Sequence, residues 1–330
     1  MTLPNPTRRA VVGAGGLAAA LGVFGGTWAL TNGSDDRPGA WILTSGSVPS
    51  SIDRLVHVRV DDLQTDDIAR AGALTLLDSP AFADVPDAIT SFIDRETVTD
   101  IEVDGLAKLV LVGDDDGAAA LAWVTWNEAD LLAELESTAD ETAEMITDDD
   151  SPIHVVGEAA VASITENLFV LGERETATSV AAVWNDKSDP LAGPLLDAFT
   201  AATREAPVRF AVERPVRNCR DTVGGEETAN RIGYVSGDAF AEDDVHVSTV
   251  TFRTDEFDDA EAVEEDVVSA LGFGGRDDLP ADDIFTHDGM RHVSLDRDGT
   301  RVMLNYRAPA DEPTDVIDAL FATVGCGYGT

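Results

Sequence analysis

Lysine is almost missing from this sequence. Only Lys108 and Lys187 occur, so arginine carries nearly all of the positive charge. Lysine and arginine together number 22 against 63 aspartates and glutamates, which gives a net charge of -41 and a sequence pI near 4.1. Contact with nucleic-acid phosphates needs basic patches, so this balance argues against a nucleic-acid partner. Catalytic signatures are missing too. There is no H-E-x-x-H, no Gly-x-Ser-x-Gly and no glycine-rich phosphate loop ending in Lys-Ser/Thr. Metal-dependent hydrolysis, nucleophilic hydrolysis and nucleotide chemistry therefore have no motif to start from, and no cofactor or metal is expected. Aromatic residues are sparse at 6%. Trp123 and Trp126 lie three apart on one expected strand and so point to opposite faces. Only two cysteines occur, Cys219 and Cys326.

What is present describes a folded chain. Of 330 residues, 44% are hydrophobic, enough for a sizeable core in one large domain or two of ordinary size. Acidic chains that stay disordered lack such content. Here apolar runs continue throughout with acids spread between them. The composition describes an acidic surface suited to very high salt, with solvent cations as its counter-ions. At about 1 M salt the Debye length falls to roughly 3 Å, and self-repulsion is screened.

The N-terminus reads as an export signal or membrane anchor over residues 1–31. Thr7-Arg8-Arg9 precedes Ala10 to Leu30, which holds no charged residue. Paired arginines before an apolar segment follow the twin-arginine pattern. The run is close to the ~20 residues that span a bilayer, so residues 10–30 are either cleaved, with Thr27-Trp-Ala29 as the candidate site, or retained as an anchor. Either outcome places the protein outside the cell or on the outer face of its membrane. Val11-Val-Gly13-Ala-Gly15-Gly-Leu-Ala18, with Asp35 beyond it, imitates a dinucleotide fingerprint. No full strand precedes it and no polar helix face follows, so the context refuses that reading.

Residues 32–47 read as a linker rich in Gly, Ser, Pro and Asp. Arg54 to Val60 alternates as a strand, and Ile68–Leu77 and Phe82–Ile93 carry helical spacing. Leu106–Val112 and Ala118–Trp126 form a hairpin about Gly113–Gly117. Asn127 caps an expected helix to about Ile146, with Ala143 on its buried face. A three-strand meander then runs Ile153–Val156, Ala160–Ile164 and Leu168–Leu171, followed by a helix to Trp184. After an expected connecting helix within 186–202, Val208–Glu213 is a strand and Asn218–Asn230 a loop. Ile232–Asp238 and Val245–Arg253 pair, Asp258–Leu271 is a helix, and a second meander runs Ile284–Thr286, Arg291–Leu295 and Arg301–Tyr306. A final helix buries Val316, Ile317, Leu320, Phe321 and Val324. Asn167 and Gly299 fall at matching turns, and both residue types tolerate left-handed backbone.

The pattern occurs twice. The expected fold is α+β, with two tandem repeats. Each repeat is an antiparallel sheet reading strand, two-strand hairpin, helix, three-strand meander, helix, with the helices on one face. The first repeat covers 48–185, with a helical insertion at 64–95, and the second covers 203–330. The runs at Ile153–Trp184 and Ile284–Phe321, with the twin arginines, resemble uncharacterised exported haloarchaeal proteins that carry a duplicated domain of unknown function. The resemblance covers most of the mature chain and implies location and lineage without an activity.

Candidate sites are few. Two cysteines in an exported chain fit a Cys219–Cys326 disulfide, and two separate buried thiols are the alternative. A bridge closing about 100 residues stabilises by up to ~4.7 kcal/mol on chain entropy alone. Of the histidines, His57, His154, His246 and His292 fall in expected strands and His287 at a turn. His287 and His292, with Asp283 and Asp288 nearby, are the best placed for ligation or catalysis. Asp296 and Asp298 join them as the residues that the first repeat does not share. Asp114–Asp116, Asp148–Asp150 and Asp296–Asp298 are acidic but lack the spacing of a calcium loop, and solvated turns explain them. The composite expectation is a non-enzymatic binding or structural module. A ligand-binding protein with a cleft between the repeats, or a hydrolase without a recognisable motif, is the alternative.

Overall fold

The computed structural model describes residues 48–63, 65–77, 106–114, 117–125, 127–139, 142–148, 151–156, 159–185, 188–213, 225–270 and 292–312. The export segment, the linker, the helix expected at 82–93, Trp126, Cys219, the strand expected at 284–286, His287, the C-terminal helix and Cys326 lie outside them.

The strands are β1 (Arg54–Arg59), β2 (Leu106–Asp114), β3 (Gly117–Val124), β4 (Glu144–Asp148), β5 (Ser151–Val156) and β6 (Ala159–Thr165), then β7 (Leu168–Glu173), β8 (Val208–Glu213), β9 (Ile232–Glu242), β10 (Val245–Thr254), β11 (Val293–Asp298) and β12 (Arg301–Pro309). The helices are α1 (Val60–Leu63), α2 (Asp67–Leu77), α3 (Glu128–Ala139), α4 (Arg174–Trp184), α5 (Pro194–Ala201), α6 (Gly225–Arg231) and α7 (Phe257–Ala270). None of the described helices is long and apolar enough to cross a membrane.

All twelve described strands join one sheet in the order β11-β12-β10-β9-β8-β1-β2-β3-β7-β6-β5-β4. Every described pairing is antiparallel. An antiparallel sheet was expected in each repeat, with nothing in the sequence deciding whether the two are separate or continuous. The sheet is continuous: β1 pairs with β8, from Arg54 opposite Val212 to Val58 opposite Val208. Left apart, those two strands would each present an apolar edge, and pairing them removes both edges.

Helices on one face were also expected, and this is corrected. One apolar cluster packs α2 (Ile68, Ala73, Leu76), α3 (Leu131) and α7 (Val263, Val267) over Val58, Leu109, Phe210 and Leu304. A second, built on alternate residues of the same strands, packs α4 (Ala177, Val180) and α5 (Leu195, Phe199) over Leu55, Val110, Leu121 and Ala211. The reason is in the strands. Every residue of β3 is buried, so that strand needs cover on both faces, whereas β10 alternates buried and half-buried positions.

Local outcomes follow from hydrogen bonding. Asn127 caps α3 by accepting the Asp130 N–H at 3.0 Å. The helix expected to reach Ile146 stops at Ala139, and Glu136 Oε1 accepts the Ala143 N–H at 2.7 Å. Glu144–Asp148 is the outermost strand instead, paired with β5. The loop expected at 218–230 contains α6. Gly299 takes the left-handed turn at φ 63°, as expected. Asn167 is not among the described residues with positive φ. Its side-chain amide donates to the Val124 carbonyl at 3.0 Å and ties the β6–β7 turn to β3.

Candidate functional site

The central strands β8, β1 and β2 carry charge where their sequences are otherwise apolar. Alternation places His57 and Arg59 of β1, Lys108 of β2 and Arg209 of β8 on the face that holds Leu55, Val110 and Ala211. The register brings them side by side, with Arg59 opposite Lys108 and His57 opposite Arg209. Asp238 of β9 lies opposite Arg209, and Trp123 of β3 opposite Lys108. The row therefore straddles the β1–β8 junction. His57, Lys108, Arg209 and Asp238 are all at most 4% exposed.

Aromatic rings and backbone groups hold most of this charge. The Lys108 ammonium sits 4.3 Å from the centre of the Trp123 ring, and the Arg209 guanidinium 4.7 Å from that of Phe199 on α5. Both contacts take a cation over a negative ring face away from water. Arg59 Nη2 donates to the Glu205 carbonyl, and its Nε lies 2.8 Å from Asp62 Oδ2 without directing its hydrogen there. Asp238 Oδ2 accepts the Thr203 N–H at 2.6 Å, which pins the connection between α5 and β8.

Desolvation and crowding act together. Burial, then the charges of Lys108, Arg209 and Arg59, holds the His57 imidazole well below its usual range. Burial, then Arg209 and Arg59, pushes Lys108 down to about 7. Arg209 is lowered to about 10, first by burial and then by Arg59, with Asp238 opposing. Burial raises the Asp238 carboxyl, and the bonds from Thr203 oppose that. Among the described residues, the buried side-chain polar atoms with no protein hydrogen-bond partner are His57 Nδ1, Arg59 Nε, Arg209 Nε, Asp238 Oδ1 and His246 Nδ1. All but the last belong to this row. Chemically the row is a desolvated, cation-rich patch with unused donors.

Of the residues singled out in the sequence, His57 belongs to this row, His292, Asp296 and Asp298 lie elsewhere, and His287, Cys219 and Cys326 are outside the described residues. His292 precedes β11, with Nε2 3.8 Å from Glu312 Oε1 and its ring edge-on to Tyr306 at 6.3 Å. Asp296 is exposed and accepts Asn305 Nδ2 at 3.1 Å, and Asp298 is exposed beside the Gly299 turn. β11, the last described strand at that end of the sheet, carries both aspartates, while His292 turns to Glu312 and Tyr306. His154 pairs with Glu128 at 3.0 Å. His246 lines an open recess of about 420 Å³ between α2 and the ends of β10 and β12. No group of three or more His, Cys, Asp or Glu among the described residues is arranged to hold a metal.

Lys108, Arg209 and Asp238 were not anticipated. The available signal was a charge inside an apolar run, as in Leu106-Ala-Lys-Leu-Val-Leu-Val112 and Val208-Arg-Phe-Ala-Val212. In a chain with two lysines, one of them in such a run stands out.

The fold is that of an α+β protein dominated by one antiparallel sheet. No family model matches the chain, and no curated protein does. Among solved structures it is similar to TP0453. Crystal form III has a TM-score of 0.49 at 9% identity, covering 85% of this chain and 99% of that one. Crystal form I has a TM-score of 0.48 at 8% identity, covering 86% and 99%.

Proposed function

We propose that the protein is a non-enzymatic binding or structural module of a salt-loving organism, exported or held at the outer face of the membrane. It is made from two copies of one α+β unit joined edge to edge. The observation that carries this reading is the mirrored strand order about the β1–β8 junction. Outward from β1 run β2, β3, β7 and β6, and outward from β8 run β9, β10, β12 and β11. Each half has its leading strand, its hairpin pair, a helix (α3 or α7) and then meander strands in the same chain order. Joined this way, two small units give a rigid framework with a long surface for partners. The paired arginines and apolar run ahead of residue 31 support export. The acidic composition supports work in high salt, with solvent cations as the surface partner.

Expression of the full chain in a salt-loving host tests the reading. A C-terminal tag should be accessible to protease added to intact cells, and specific proteins should co-purify with it in molar salt. Recovery of the protein in the cytoplasm with its N-terminus intact would overturn it.

A second reading, a protein that binds a ligand where the halves meet, is favoured by the unused donors around Arg209.

A further inference from the structure

The geometry points to a binding site for a small monovalent anion of the halide class at the β1–β8 junction, held by Arg209 and His57 with Lys108 and Arg59 beside them. This rests on the second reading above and gives its ligand a chemical identity.

Three observations converge. The first is the set of orphaned donors. Arg209 Nε and His57 Nδ1 are buried, face the same side of directly paired strands and have no hydrogen-bond partner from the protein; the neutral imidazole carries one N–H, and with it on Nδ1 the two side chains present two donors on one face. Arg59, two residues from His57 on the same face, adds a third cation, and its Nε is ion-paired with Asp62 at 2.8 Å. A buried donor left unpaired costs on the order of 1–3 kcal/mol, so such clusters are tolerated where something else accepts the bond.

The second is charge. Water could satisfy the same donors, but charge separates the two occupants. The row brings together Arg59, Lys108 and Arg209, with Arg204 and Glu205 on the adjoining connection. Its buried carboxylate is Asp238, opposite Arg209, whose Oδ2 accepts the Thr203 N–H and whose Oδ1 has no protein partner. Asp62 answers Arg59 from a half-exposed position. The chain has 63 acidic residues and still leaves this patch rich in cations. The interior potential there is positive, and in a desolvated site an anion gains more from it than a neutral water does.

The third is size. Facing residues on paired strands stand about 5 Å apart, and α5 closes the face with Phe199, which is 1% exposed. Asp238 stands beside the donors and penalises a second negative charge. A singly charged ion suits this balance of charge better than phosphate or a dicarboxylate. Molar chloride would fill even a weak site of this kind, because occupancy follows the ratio of concentration to Kd.

The test uses the whole protein crystallised from molar sodium bromide. The expected result is a bromide anomalous peak within hydrogen-bonding distance of Arg209 Nε and His57 Nδ1. Ordered water at those donors, with bromide only on the surface, overturns the anion. A solution measurement accompanies it. Thermal melting in sodium chloride and in sodium gluconate at equal ionic strength gives a difference that contains any specific anion effect. That difference should fall to the background in Arg209→Met and, as a second variant, in His57→Phe. A difference unchanged in both also overturns the proposal. The broader junction reading has a separate test, mass spectrometry of small molecules released when the native protein is denatured. An organic ligand found there, with no bromide peak, sinks the halide and leaves the junction site standing.

Discussion

The Asp66 carboxylate joins the start of α2 to the far end of β9. One oxygen accepts the Ala69 N–H at 2.9 Å and the other the Ala241 N–H at 2.7 Å. The first bond caps the helix, and the second anchors that helix to a strand beyond the junction. Asp66→Ala loses both. A lost cap costs about 1 kcal/mol, and a lost hydrogen bond of this kind roughly 1 kcal/mol more. The expected destabilisation is about 2 kcal/mol in denaturant unfolding at molar salt, with Asp66→Asn recovering part of it. Loss of a few tenths only would mean that the tie contributes nothing to the folded state.

Burial governs how the junction responds to pH. Lys108 is pushed down to about 7, whereas in the unfolded chain it titrates near 10.4. Between those values the unfolded state binds more protons than the folded one. Stability therefore rises with pH there, by up to about 1.4 kcal/mol per pH unit. Below about 7 both states hold the proton and Lys108 adds no slope. His57 acts in another window. Its imidazole is held well below the usual range, so below about pH 6.5 the unfolded chain takes up the proton first and stability falls as pH drops. Denaturant midpoints in sodium gluconate should show both slopes. Lys108→Met should flatten only the upper one and His57→Gln only the lower. An upper slope that survives Lys108→Met refutes the assignment.

Much of this architecture was legible because it is local. The alternation of Val245 to Thr254, the Gly113–Gly117 hairpin and the Gly299 turn each follow from a few neighbouring residues. The end of α3 was not legible, since apolar residues at helical spacing run past Ala139, whereas beyond it the Glu136–Ala143 bond and the pairing of β4 with β5 hold the chain in another form. The cover on both faces was half legible: β3 reads as an unbroken apolar run, but which helix takes which face depends on packing. Of the candidate site, the charges inside apolar runs were legible and their juxtaposition was not. His57 meets Arg209, and Lys108 meets Arg59, through strand pairings between distant parts of the chain. Nothing in either local sequence specifies that register. Of the residues chosen because the first meander does not share them, Asp296 and Asp298 are exposed on β11, His292 precedes it and meets Glu312 and Tyr306, and His287 lies outside the described residues.

Gly237 lies where β9 passes Phe210 and the Thr249 carbonyl. A Cβ there would overlap that carbonyl and come within 2.8 Å of the Phe210 ring. The carbonyl belongs to the neighbouring strand and cannot turn aside without breaking the ladder. Gly237→Ala should therefore cost about 2–3 kcal/mol, the upper part of the usual range for overpacking. Gly233→Ala on the same strand is the control, because its Cβ would meet nothing closer than 3.6 Å. Equal stability of the two variants would show that the sheet relaxes around Gly237.

Salt should act on this protein through two separable effects. The general one is screening of a net charge of -41. The Debye length grows from roughly 3 Å at 1 M to about 10 Å at 0.1 M, so repulsion among surface carboxylates returns as salt is removed. The melting temperature should fall on dialysis from molar to millimolar salt, and sodium gluconate should restore that part in wild type and in Arg209→Met alike. The specific effect belongs to the junction and should appear as a further rise with chloride in the wild type alone. A melting temperature that stays flat across the whole range removes the high-salt reading of the acidic surface. A response to ionic strength that is the same for chloride and gluconate keeps that reading and assigns all of it to screening.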